Sequence, residues 1–336
     1  MKIRPVPRIV LLLLALAALA LGAVGCGRED SEDDADAAPI EETTGEAPAE
    51  ELSGDIIIDG SSTVGPLTTA AAASFGDEQS GVNIEVGTSG TGGGFERFCA
   101  GETDISNASR PIDEEEEVPI CEEEGIEYTE VQVANDGLSV VTNPGLEISC
   151  LTVDQLAQLW SDDSVSNYSE LGEDAETGEP LPDVDISLYG PGTDSGTFDY
   201  FTDEINGEEG KSRSDYQASE DDNQLVTGVA GDEAGLGYFG FSYYEQSADQ
   251  LNLVAVDGGD GCVEPNAETI QSGEYAPLAR PLFMYPSNEA LGDEAVSGFM
   301  QFAVDNYEAI AEAALYIPMD KTQAEEASSA LEGATG

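Results

Sequence analysis

Hydrophobic and polar positions fall into three regimes along the chain. Residues 9–23 form an unbroken apolar run behind the basic start MKIRPVPR. Residues 27–53, GREDSEDDADAAPIEETTGEAPAEELS, have no periodicity and almost no large apolar side chain. Such a stretch has nothing to bury, and its like charges repel, so it predicts an extended, disordered acidic linker. From Asp55 onward, strand-like and helix-like patterns alternate. Asp55–Asp59 (DIIID) predicts a buried strand, and Val64–Phe75 a helix with Pro66 in its first turn. Val82–Val86 predicts a strand, followed by a helix from about Phe95. Asp104–Ala108 predicts a short strand and Asp113–Glu124 an acidic helix. Glu127–Thr142 is strand material interrupted by the turn-like Asn135-Asp136-Gly137. Thr152, with Gln155 three residues on, is a capping-box start for a helix reaching Trp160. Further strands are expected at Asp185–Tyr189, Gly237–Phe241, Leu251–Val256 and 280–285, and helices at Thr197–Ile205, Asn223–Val229 and 289–315. Recurring strand–turn–helix units point to an α/β protein with largely parallel pairing. Such sheets present ligands to the carboxyl ends of strands and the amino ends of helices.

Composition sharpens this picture. The 336 residues suffice for more than one average domain, and 40% are hydrophobic, enough for buried cores. Seventy acidic residues against 10 basic ones give a formal net charge of -60. That balance repels nucleic-acid backbones and anionic lipid headgroups. The acids are spread along the chain, which suits a surface adapted to high salt, where screening shrinks to about 3 Å at 1 M; ordinary solubility is the plainer alternative. The absence of histidine excludes Ser-His-Asp triads, Cys-His dyads and His-ligated zinc.

Residues 1–26 have the layout of a signal peptide. Their ending, Ala23-Val24-Gly25-Cys26, resembles a bacterial lipobox, which would make Cys26 the lipidated first residue of the mature chain; a plain secreted protein cut nearby is the alternative. Four cysteines then remain in an oxidising compartment, and three pairings are open to them. The expected pairing is the local Cys99–Cys121, with Cys150–Cys262 as the second bridge. No CxxC spacing favours zinc instead. Cations are scarce enough to count. Beyond the leader and linker stand only Arg97, Arg110, Lys211, Arg213, Arg280 and Lys321.

Three loops share one composition and one context, each between a strand and a helix: Gly60-Ser61-Ser62-Thr63, Gly87–Gly94 (GTSGTGGG) and Gly190–Thr197 (GPGTDSGT). A fourth segment, Ser106–Pro111 (SNASRP), carries Arg110. Glycine lets backbone N–H groups approach a ligand, Ser and Thr add hydroxyl donors, and helix starts add unpaired N–H groups and partial positive charge. Converging, these make a site for a small tetrahedral oxyanion. Two motif matches are set aside. Gly235–Gly240 fits GxGxxG but lacks the strand-then-helix context of a dinucleotide loop and is expected to be a helix-to-strand turn. Asp194–Thr197 fits the aspartic-protease DSGT, which needs a second carboxylate-bearing copy that the chain lacks. No P-loop is present.

The segments GSSTVGPL, GTSGTGGGFERFCAGETDISNASRPI, GPGTDSGTFDYF, AGLGYFGFSYY and YAPLARPLFMY, in this order and spacing, resemble the phosphate-binding proteins of ABC phosphate importers. The resemblance runs from about Asp55 to Tyr307. It implies a type II periplasmic-binding-protein fold, with two lobes of mixed sheet flanked by helices and joined by a two-strand hinge. The expected division is a leader 1–26, a linker 27–53 and a binding domain 54–336. Lobe one would be about 54–138 plus 262–336, and lobe two about 139–261. Matched motif by motif, the family's anion site falls on Ser62, Thr63 and Val64, on Ser89, and on Ser195, Gly196 and Thr197. The chain departs from well-known members at two places. They read Asp where SNASRP has Arg110, and Arg where this chain has Pro191; it agrees with relatives that read ASRPI. Arg110 is therefore the expected cation and Asp194 the expected acceptor for the proton on phosphate, which sulfate lacks. Arg97 and Arg280 are expected to be structural ion pairs, and Tyr238, Phe239, Tyr243 and Tyr244 core or cleft wall. The resemblance further implies inorganic phosphate and an ABC permease as partners, a monomer tethered to the membrane through lipid on Cys26, and no cofactor, nucleic acid or catalysis. Sulfate, molybdate or another oxyanion, or phosphate sensing at the cell surface, are the alternatives.

Overall fold

The computed structural model describes residues 51–161, 164–193 and 195–335. The leader with Cys26, the linker up to residue 50, and Asp194 lie outside the described residues.

The DIIID run forms β1 (Ser53–Gly60), starting two residues earlier than expected, with Leu52 already fixed by its N–H to Gln79 Oε1. It alternates with α1 (Val64–Glu78), β2 (Gly81–Val86), α2 (Thr91–Cys99), β3 (Ile105–Ala108) and α3 (Val118–Glu124). The helix expected from Asp113 starts five residues late. Asp113 instead accepts the N–H groups of Glu115 and Glu116 in a turn, and Pro119 sits in the first helical turn, where its missing N–H costs nothing. β1 lies parallel between β2 and β3, so the loops after β1 and β2 open on one edge of the sheet.

β4 (Val131–Thr142) corrects the expected break at Asn135-Asp136-Gly137: it is one continuous strand of 12 residues. The turn-like triplet stays extended because each residue has a tertiary partner. Asn135 exchanges backbone hydrogen bonds with Ile317, and Asp136 faces Arg280. Gly137 admits a helix side chain, since a Cβ there would lie 2.4 Å from Ile270 Cδ1.

Beyond β4 come β5 (Cys150–Thr152), α4 (Val153–Ser161), β6 (Ser187–Pro191), α5 (Gly196–Asn206), β7 (Gln217–Ser219) and α6 (Asp222–Gly231). They are followed by β8 (Gly235–Gly240), α7 (Phe241–Glu245), β9 (Asn252–Asp257), β10 (Cys262–Val263) and α8 (Ala267–Gln271). The Thr152/Gln155 capping box is present at α4, each side chain bonding the other residue's backbone N–H. The GxGxxG match is not a turn but β8 itself, fully inside the sheet. β6 lies parallel between β7 and β8, again leaving its following loop at a point where strand order reverses. β11 (Ala279–Pro286), α9 (Glu294–Asp305), α10 (Tyr307–Ala313) and α11 (Lys321–Thr335) complete the chain. The single helical stretch expected over 289–315 is thus split at Asn306, and α11 was not anticipated.

β4 and β11 run antiparallel and cross from one hydrophobic core to the other. Val131, Val133, Leu282 and Met284 belong to the core that holds α1 and α9, with Phe75 and Phe299 edge to face. Leu138, Val140 and Leu278 belong to the core around Trp160, Phe201 and Tyr238. Ile270 and Tyr275 also pack in this second core, and β10 pairs with β9. Residues 262–278, expected with the first lobe, therefore pack with the second. Both expected disulfides are formed, Cys99–Cys121 between α2 and α3 and Cys150–Cys262 between β5 and β10. No helix of the described residues is long and apolar enough to cross a membrane.

Candidate functional site

The three glycine-rich loops converge on one cleft of about 510 Å³. In the first loop, Gly60 has φ +139°, and a Cβ there would lie 2.1 Å from the Asn107 carbonyl oxygen, so only glycine fits. Ser61 is buried and its Oγ accepts the N–H groups of Thr63 and Val64 at 3.2 and 3.4 Å. It thereby braces the start of α1 and leaves the Ser62 and Thr63 side chains to line the cleft. Tyr316 donates its hydroxyl to the Thr63 carbonyl at 2.6 Å, fixing the turn from α10's side.

The second loop is tied to the first by a buried carboxylate. Asp59 Oδ1 accepts the N–H groups of Gly60 and Ser89 at 2.8 and 2.9 Å, and Arg97 pairs with Oδ2. Burial works to raise the Asp59 pKa, but these N–H donors and the guanidinium outweigh it and hold the carboxyl below its ordinary range. Arg97 also reaches Glu102, so it is the structural ion pair expected of it. Gly90 N–H bonds the Gly60 carbonyl at 3.0 Å, and α2 begins at the next residue. Ser89 consequently faces the cleft from a rigid seat.

The third loop enters from the second core. Ser195 caps α5, its Oγ accepting the Thr197 N–H at 3.2 Å. Gly196 meets the first loop directly, because a Cβ there would lie 2.6 Å from Thr63 Oγ1 and 3.1 Å from Thr63 N. Of the residues singled out from sequence, Ser62, Thr63, Ser89, Arg110 and Gly196 line the cleft. Ser195 and Thr197 flank it at the helix start and are outside its wall. Val64 is wholly buried, and its N–H is directed at Ser61. Asp194 lies outside the described residues.

The cations differ from expectation. Arg110 reaches the cleft, but Glu117 takes its guanidinium in a two-pronged ion pair, at 2.9 and 2.8 Å, and the Pro111 carbonyl takes another donor. Arg280, expected to be structural only, lines the same cleft. Its Nη2 donates to Thr63 Oγ1 at 2.8 Å, and its guanidinium lies 3.6 Å above the centre of the Tyr200 ring. Behind it stands Asp136, in register across the β4–β11 ladder, contacted at 3.3 Å by both Nε and Nη2 through one oxygen. Burial pushes the Asp136 carboxyl above its ordinary range, with Arg280 opposing. The outer wall is acidic: α5 and the turn after it present Asp199, Asp203, Glu204 and Glu209. Burial raises both Asp199 and Glu204 above the ordinary carboxylate range, reinforced by Glu209 and Asp203 respectively.

Sequence reasoning missed Asp59, Asp136, Tyr316 and the placement of Arg280. Among the described residues no group of three or more Asp, Glu or Cys is placed to hold a metal ion. The arrangement offers hydroxyls and guanidinium donors within one polar cleft between two cores, which is chemistry for holding an anion by hydrogen bonds.

Residues 43–306 match the family model described as a PBP superfamily domain. The chain belongs to the PBP superfamily. It is similar to Protein SphX of Synechocystis, 43% identical over 274 residues covering 80% of each chain. It is also similar to the phosphate-binding protein PstS of Staphylococcus saprophyticus, 36% identical over 84% of this chain and 86% of that one. The crystal structure of a possible phosphate binding protein from Planctomyces limnophilus superposes with a TM-score of 0.79 at 43% identity, covering 85% of this chain and all of that one. The PBP assignment fits the architecture above: two α/β cores joined by crossing strands, the type II form of this superfamily.

Proposed function

We propose that this protein captures inorganic phosphate outside the cytoplasm and delivers it to the permease of an ABC importer. The observation that carries the reading is the meeting of Gly196, at the start of α5, with Thr63, at the start of α1. Two helix amino termini from two cores face one small space, and each turns the positive end of its dipole towards an anion. The two cores act as lobes that open and close about the β4–β11 crossing, and closure replaces the hydration shell of phosphate with protein donors. Ser62, Thr63 and Ser89 supply donors from the first lobe; Ser195, Gly196 and Thr197 supply them from the second. A guanidinium on the cleft wall, Arg110 or Arg280, adds positive charge, and Asp194 accepts the proton that phosphate carries and sulfate does not. No bond chemistry belongs to this mechanism. The leader directs export and is removed, lipid on Cys26 and the acidic linker then hold a monomer at the outer face of the membrane, and the acidic surface keeps it soluble in high salt. The names of the PstS and Planctomyces relatives support phosphate as the ligand.

The test is calorimetric titration of the chain without its leader, stripped of carried-over anion, with phosphate and then sulfate in high salt. Tight phosphate binding with no sulfate heat is expected. Sulfate binding of equal strength, or no response to phosphate, would remove phosphate capture as the function.

A further inference from the structure

We propose that Arg280, not Arg110, is the cation that holds the anion, and that Asp136 and Tyr200 are positioning residues that keep its guanidinium turned to the cleft. This rests on the cleft being a phosphate site, as argued above.

The case begins with the charges available. Lys211 pairs with Glu208 on the surface, Arg213 with Asp215 and the Leu159 and Val165 carbonyls, and Arg97 with Asp59. Lys321 begins α11 and is not part of the cleft. Arg110 and Arg280 alone among the described cations reach the cleft wall. They are held differently. A carboxylate that grips a guanidinium with both oxygens matches its fork and cancels its charge where the anion would bind. Glu117 does this to Arg110. Asp136 meets Arg280 through a single oxygen, on the Nε and Nη2 side. Asp136 does not line the cleft, so the carboxylate stands behind the guanidinium and the guanidinium stands towards the cavity. Nη1 makes no hydrogen bond to any described residue, which leaves its two N–H groups for a ligand.

The plane of the guanidinium is fixed as well. It stacks on Tyr200, whose hydroxyl is anchored on the Pro277 carbonyl, while Nη2 is anchored on Thr63 Oγ1. Thr63 belongs to the first core's loop and Tyr200 to α5 of the second. Arg280 itself sits where β11 passes from one core to the other. An anion taken by Nη1 is therefore held by a side chain that touches both sides of the cleft, so binding favours the closed arrangement of the lobes. A lysine at this position would carry the charge but neither the planar fork nor the stack.

The experiment is phosphate titration of the leaderless chain by calorimetry at low and high salt, comparing wild type with R280Q, R280K and K321Q. R280Q is expected to bind phosphate at least 100-fold more weakly, with a flatter salt dependence because the ion contact is gone. R280K is expected to lose about tenfold, and K321Q, which removes the same charge far from the cleft, less than twofold. A purely structural Arg280 would lower the melting temperature without changing the salt dependence of binding. Should R280Q fail to fold, R280K decides: a folded R280K with wild-type affinity overturns the proposal. Wild-type binding with equal binding by folded R280Q overturns it while leaving phosphate capture intact. A wild-type protein that takes no phosphate overturns both.

Discussion

Arg110 and Arg280 are the same residue type, at the same cleft, each beside one carboxylate, yet they stand in opposite electrostatic situations. The Arg110 loop, between β3 and α3, is exposed to solvent and closed on itself. Glu117 binds the guanidinium with both oxygens and also accepts the Asp113 N–H, and the Cys99–Cys121 bridge encloses the whole loop. The β4–β11 crossing is buried, with Arg280 and Asp136 side chains only 12% and 7% exposed, and its pairing is one-sided. Counting scarce cations identifies both as candidates. Only the geometry of the pairing says which charge is already spent on its neighbour and which still has donors for a ligand.

The largest stability effect that separates the two regions comes from the disulfide. Replacing Cys99 and Cys121 together (C99S/C121S) opens a ring with a sequence separation of 22 residues around the Arg110 loop. The chain-entropy account expects a loss of about 3 kcal/mol in unfolding free energy. Because the crossing lies outside that ring, phosphate affinity should stay within about threefold of wild type at temperatures where the variant is folded. Denaturant melts and titration measure the two quantities, and a collapse in affinity without unfolding would show that the Arg110 loop holds the anion after all.

Asp222 probes the acid crowding around the crossing. It opens α6, is pushed up to about 6 by burial, and feels Asp136, Asp221 and Glu220 as well, with the Gly240 N–H as its opposing donor. Tyr316 and Tyr243 lie within the same group of charges. A carboxyl whose folded pKa is raised contributes its stability when protonated, below the unfolded value, and loses it as pH rises through the folded value. The window is therefore from about pH 4 to about pH 6. D222N should be about 2 kcal/mol more stable than wild type at pH 7.5 and equal to it near pH 4. Equal stability at both pH values would mean that the crossing is better solvated than its burial implies.

What could be read from the sequence was what is local. Strand, glycine-rich loop and helix follow one another within about twenty residues, so periodicity and turn composition located three anion loops and the α4 capping box. The resemblance supplied the two-core architecture. What escaped was what depends on pairing across the chain. Asp136 and Arg280 are 144 residues apart and become neighbours only through the β4–β11 register. The Asn135-Asp136-Gly137 triplet has turn chemistry, but its glycine is there for Ile270 and its aspartate for Arg280. Asp59 looked like the end of a buried strand, and its work of clamping two loops shows only when Ser89 returns to it. α11, with Ser and Gly among its small apolar residues, has too weak a stripe to be recognised without the core it covers.

The smallest effects give the finest test, because here the comparison predicts a sign. If Arg110 were the anion's cation, R110Q would weaken binding by about 100-fold or more, as R280Q is expected to. If Glu117 has already neutralised it, R110Q should cost no more than about threefold, the value of a partly exposed charge at a distance. Glu117 then becomes the residue to watch. Its carboxylate is 13% exposed while Arg110 is 47% exposed, so E117Q removes a mostly buried negative charge at the cleft edge and releases a guanidinium that can swing to the ligand. E117Q should bind phosphate about fivefold more tightly, roughly 1 kcal/mol, in the range of a partly solvated ion contact. The double variant R110Q/E117Q should return to wild-type affinity, because the released cation is absent. A tightening that survives in the double variant would assign the gain to lost repulsion by Glu117 alone, and a loss of affinity in E117Q would mean that the pair positions the loop for binding and does not merely silence its charge.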